Sequence, residues 1–171
     1  MNLLTKATMV ALTLALAACN NPRGGADYQD PMGAGGGISS SALGDPNDPA
    51  SIAYFNETIG DTVHFTVDST ELNPEAQTIL RTQAAWLSRN PGYQILVEGH
   101  ADERGTREYN IALGASRAAR VQQFLIGAGV PSGSIRTVSY GKERPIEICS
   151  EESCYAKNRR AVTVLSGGLT G

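Results

Sequence analysis

Asp102, Asn110 and Arg117 are the side chains best placed to do chemistry in this sequence. They fall in the stretch VEGHADERGTREYNIALGASRAAR over 97–120, where an apolar strand gives way to a polar, glycine-containing loop and then to a helix. With Leu113 as reference and about 100° per residue, Phe124 lies at about 20°, Arg117 at about 40°, Asn110 at about 60° and Val121 at about 80° around that helix. Arg117 therefore sits on or beside the apolar stripe. A guanidinium there needs a partner, and Asp102 at the helix entrance is the candidate. The two form either a structural ion pair or a charged clamp open to a ligand.

Other chemistries fit the residues less well. His100 and Asp102 make a His-x-Asp fragment, but His64 is the only other histidine, so no metal site is expected. Ser116 stands between Ala115 and Arg117 inside a helix, without the strained elbow or oriented base that a nucleophile needs. Asp102 and Glu103 are adjacent and do not face each other as an acid pair. Lys157, Arg159 and Arg160 read as a solvated basic face.

The elements that must position these residues follow from pattern and caps. Thr62–Val67 alternates as a strand, and Asn73-Pro74-Glu75 opens a helix with an N-cap, a proline at N1 and an acid in the first turn. Ile79, Leu80, Gln83, Trp86 and Leu87 form its inner stripe, and Asn90-Pro91-Gly92 ends it. Tyr93–Val97 reads as a central strand. The next helix starts at Thr106 as N-cap and ends around Gly127–Gly129. Ile135–Tyr140 gives a third strand, a loop with two cysteines follows, and a helical turn over Tyr155–Asn158 precedes the last strand, Ala161–Leu165. The expected fold is α/β, a two-layer sandwich with a mixed four-stranded sheet and helices on one face.

The chain has 171 residues and a formal net charge of −3, room for one ordinary domain with appendages and no basic excess to hold nucleic acid. Residues 1–18 carry Lys6 and the short apolar run Ala7–Ala18, the pattern of an exported signal. Residues 19–57 are rich in Gly, Ser and Pro and read as a flexible linker, with a short helix or strand around Ile52–Phe55 left open. The domain is expected over 58–166, with a tail at 167–171.

Three groups of residues carry a resemblance. Leu16-Ala17-Ala18-Cys19 is similar to the lipobox of bacterial lipoproteins, which implies cleavage before Cys19 and covalent lipid there, N-acyl and S-diacylglycerol, with no other cofactor. Asn20 after it, in place of Asp, leans towards the outer membrane. Gly99, His100, Asp102, Gly105, Tyr109, Asn110, Leu113, Arg117 and Ala118 follow the pattern of the OmpA-like peptidoglycan-binding domain family. VSYGKERP and YAKNRRAV resemble its lipid-anchored, peptidoglycan-associated branch.

The resemblance implies binding to the peptide stem of uncrosslinked peptidoglycan, with no enzyme activity. Asp102 matches the aspartate that takes the ammonium of meso-diaminopimelate, and Arg117 the arginine that takes its carboxylate. Asn110 and Leu113 match pocket residues, and Phe65, Thr66 and His100 complete the expected site. An acid and a fork-shaped base at fixed separation suit such a zwitterion. Thr66 stands where relatives often carry Asp, and Asp68, two residues on, could compensate. The implied partners are peptidoglycan, the periplasmic propeller protein TolB within the Tol–Pal system, other Tol proteins and OmpA-like proteins. The implied place is the periplasmic side of the outer membrane. With Cys19 acylated, Cys149 and Cys154 remain as an even pair in an oxidising compartment and are expected to bridge.

Overall fold

The structure, a computed structural model, describes residues 43–167. Cys19, the signal segment, most of the linker and the tail beyond 167 lie outside the described residues. Among the described residues four helices and four strands alternate in the order α1 (Ile52–Tyr54), β1 (Thr62–His64), α2 (Pro74–Arg89), β2 (Gln94–His100), α3 (Arg107–Gly127), β3 (Ile135–Gly141), α4 (Glu152–Asn158) and β4 (Arg160–Ser166). A π-helical turn, Phe55–Gly60, extends α1, and a 3-10 turn, Ser132–Ser134, leads into β3.

The strands form one mixed sheet in the order β1-β4-β2-β3. β2 runs parallel to β3 and antiparallel to β4, so it is an interior strand. A parallel neighbour requires a crossover, and α3 supplies it. Ile95 and Val97 of β2, Val63 of β1 and Ala161 and Leu165 of β4 face the helices and are buried. Leu80, Trp86 and Leu87 of α2 and Val121 and Leu125 of α3 close on them.

The caps act where the sequence places them. Asn73 accepts from the Ala76 amide at 2.7 Å, and Thr106 accepts from the Tyr109 amide at 3.2 Å. Gln83, polar but wholly buried, is satisfied by the Gly60 carbonyl and the Thr163 hydroxyl.

Two expectations are corrected here. The first strand ends at His64, not Val67, because the chain turns over Thr66–Ser69 and Asp68 adopts a left-handed φ of 52°. The boundary at 57/58 is also too late. Phe55 is fully buried, Ile52 nearly so, and the Trp86 indole donates to the Pro49 carbonyl at 2.8 Å. The polar composition of 45–51 hides this, since Asp45, Asp48 and Ser51 spend their side chains folding that segment back on itself.

Candidate ligand-binding site

β2 delivers its last residues to one end of the sheet, and the chain then loops through Asp102–Gly105 into α3. Asn110, one turn in, reaches back and donates to the Arg104 carbonyl at 2.8 Å, which fixes the loop against the helix. Beside it lies an open cavity of about 290 Å³. Asp102, Asn110, Leu113 and Arg117 all line it, together with Val67, Asp68, Arg104, Gly105, Tyr109 and Arg159.

Arg117 is fully buried, as its place on the helical stripe demands, but its partner is not Asp102. Its Nε donates to the Ser69 carbonyl at 2.9 Å, Nη1 to His100 O at 2.7 Å and Nη2 to Thr66 O at 3.3 Å. The guanidinium also stacks 5.1 Å from the Phe65 ring centroid. The turn after β1 and the end of β2 aim three peptide carbonyls at one point, and five N–H donors in a fork can meet them. Burial pushes the Arg117 pKa down to about 10, against the pull of Asp102.

Asp102 is held by other arginines. Its Oδ2 accepts from Arg104 Nη2 at 2.7 Å and from Arg159 Nη1 at 3.1 Å, and its Oδ1 accepts from the Arg104 amide at 3.2 Å. Burial pushes this carboxyl up, but the hydrogen bonds from Arg104 and Arg159 outweigh it and hold it below the usual value. Arg159 is buried too, with Nε on the Phe65 carbonyl and Nη2 on Glu152. Arg160 is likewise buried. The expectation of a solvated basic face at 157–160 therefore fails for both residues. Arg159 just before β4 and Arg160 at its start lie where carbonyls and acids receive them.

The side chains of Phe65, Thr66 and His100, which the resemblance assigns to the site, do not line the cavity. Phe65 supports Arg117 from the core, and Thr66 contributes its carbonyl. His100 shares the parity of Leu96 and Glu98 along β2, which turns it to the sheet face away from the helices. There it lies 3.6 Å from Glu98 and 5.5 Å from the Tyr140 ring. Burial, with Arg160 and Arg144 nearby, pushes its pKa down to about 4.

Asp68 does line the cavity, through the left-handed turn and not through strand parity. Its carboxylate accepts from the Tyr109 hydroxyl, which raises the Tyr109 pKa. Among the described residues no group of three or more His, Cys, Asp or Glu is arranged to hold a metal ion. None of the described helices is long and apolar enough to cross a membrane.

Comparisons with known proteins give the chain its family. The OmpA family profile matches residues 64–159, more than half of the chain. A peptidoglycan-associated lipoprotein of Agrobacterium fabrum is 49% identical over 158 residues, 92% of this chain and 85% of that protein. One of Rhizobium meliloti is 47% identical over 161 residues, 93% of this chain and 87% of that protein. The crystal structure of the peptidoglycan-associated lipoprotein from Burkholderia pseudomallei superposes with a TM-score of 0.63 at 38% identity, covering 73% of this chain and 99% of that one. On its sequence and its fold, the chain belongs to the OmpA family and, within it, to the peptidoglycan-associated lipoproteins.

Proposed function

We propose that this chain is a non-catalytic tether that binds peptidoglycan and holds the outer membrane to the cell wall. The observation that carries the reading is the meeting of Asp102, Asn110, Leu113 and Arg117 in one cavity, with neither charge spent on the other. In this reading the pocket takes the free end of meso-diaminopimelate from an uncrosslinked stem peptide. Asp102 and Asp68 receive the ammonium. The two N–H donors that Arg117 does not give to carbonyls, and the half-exposed Arg104, receive the carboxylate. The N-terminus of the long helix α3 adds a favourable field for that carboxylate.

Lipid on Cys19 anchors the chain in the outer membrane, and the domain faces the periplasm. Loss of outer-membrane fractionation in a Cys19→Ser chain, after wall digestion, checks the anchor. TolB and the Tol–Pal system are the partners in this reading, with a role in drawing the outer membrane inwards at division. Pull-down of the chain by TolB tests that association.

The pocket is tested by titrating the full chain, in detergent, against sacculi containing meso-diaminopimelate and sacculi with lysine at that position. Lysine lacks the second carboxylate, so binding is expected to fall steeply. Asp102→Ala leaves the ligand ammonium unpaired and is expected to cost on the order of 2–5 kcal/mol. Equal binding to both walls, or wild-type binding by a folded Asp102→Ala chain, returns these residues to a structural role.

A further inference from the structure

Glu152 lies inside the ring closed by the Cys149–Cys154 disulfide, whose Cα atoms are 5.9 Å apart. Cys154 is buried on α4, so one side of the ring is pinned to the domain. Glu152 Oε1 accepts from Arg159 Nη2, and Oε2 stands 3.6 Å from Arg104 Nη2. These are the same two guanidiniums that grip Asp102. A single carboxylate facing two guanidiniums presents a net positive charge, which repels an ammonium. Glu152 brings that cluster to neutrality.

The other charges around the cluster do not replace it. Asp68 and Arg117, which also line the cavity, add one charge of each sign. Lys142 donates to the Glu103 and Gly105 carbonyls, and Glu103 accepts from Asn158. We infer that Glu152, presented by the disulfide ring, is a specificity-determining positioning residue. It offsets Arg104 and Arg159 so that Asp102 keeps the negative charge that selects a ligand ammonium. The inference rests on the proposed reading of the pocket as the seat of a diaminopimelate end.

Glu152→Gln keeps a hydrogen-bond acceptor for Arg159 and removes only the charge. One unit charge acting across a partly solvated pocket corresponds to about a tenfold change in affinity. A Cys149→Ser/Cys154→Ser chain leaves Glu152 in place but opens the ring that presents it, and is expected to weaken binding in the same direction. Glu152→Asp restores the charge and is expected to recover part of the affinity.

The experiment titrates these full chains against native meso-diaminopimelate sacculi and against sacculi whose free amines have been acetylated, with thermal melts to confirm folding. Acetylation removes the ammonium and spares the carboxylate. The expected result is that Glu152→Gln and the ring-opened chain bind native sacculi about tenfold more weakly than wild type, with the difference vanishing on acetylated sacculi. Wild-type affinity in Glu152→Gln, or an equal loss on both kinds of sacculi, overturns the inference. Wild-type affinity in the ring-opened chain overturns the part assigned to the disulfide. Failure of the wild-type chain to bind native sacculi would instead overturn the proposed function.

Discussion

Arg117 gives three of its N–H donors to the carbonyls of Thr66, Ser69 and His100, so its removal reaches stability as well as binding. Arg117→Ala leaves those acceptors without partners in a buried place and is expected to destabilise by about 3–5 kcal/mol in urea unfolding. Arg117→Lys keeps the charge but cannot span three carbonyls, and should fall between the two. An Arg117→Ala chain as stable as wild type would show that these contacts contribute little. His100 makes a pH prediction. Its ordinary value of 6.5 applies in the unfolded chain and about 4 in the folded one. Below 6.5 the unfolded chain binds a proton that the folded chain refuses, so stability is complete above that value and declines as pH falls through the window. The decline is bounded at about 3 kcal/mol. Glu98, raised by burial, works in the opposite sense. Urea midpoints at pH 7 and pH 4.5 should differ less in His100→Gln than in wild type. At this scale the helical period is enough to bring Asn110, Leu113 and Arg117 to one side of α3, and nearness in sequence brings Asp102 to the same helix entrance. Their partners were not legible, because peptide carbonyls have no residue type and Arg159 is 57 residues from Asp102.

At the scale of elements, α3 packs onto β2 through two glycines. A Cβ at Gly99 would lie 1.8 Å from the Gly114 carbonyl oxygen, and a Cβ at Gly114 would lie 2.4 Å from Ser139 Oγ and 2.8 Å from Gly99 O. Gly114 stands in the middle of a 21-residue helix, where glycine costs about 1 kcal/mol against alanine. The close approach is what outweighs that cost. Gly114→Ala is therefore expected to lower the melting temperature despite its better helix propensity, with a net loss of about 2 kcal/mol. A rise in melting temperature would mean that the helix can shift away without loss. The helices and interior strands could be read from the sequence because their caps and periods are local. The end of β1 and the π-helical turn could not, since Phe65 and Phe55 are placed by the core and by Arg117, not by neighbours in sequence.

For the whole molecule, the domain begins well before the point where the composition changes. A chain begun at 58 loses Ile52 and Phe55 from the core, along with the Pro49 and Ala50 carbonyls that receive Trp86 and Tyr93. Removing two buried apolar side chains of this size is expected to destabilise by about 4–6 kcal/mol. Urea unfolding of chains begun at 43 and at 58 makes the comparison. Equal midpoints would show that the leading segment is only draped on the surface. The segment and the pocket also stand at opposite ends of β2. Pro49 and Ala50 sit beside Trp86 and Tyr93, where the strand begins, and Asp102 lies just past its end, roughly 20 Å away at about 3.3 Å per residue. In the proposed reading, with lipid pulling at one end and wall at the other, tension runs parallel to the strands. The hydrogen bonds that β2 makes with β3 and β4 are then loaded together in shear and not unzipped one at a time. On that reading the domain is mounted to resist stretching between membrane and wall, and a pull at right angles to the strands should rupture it at lower force in single-molecule extension.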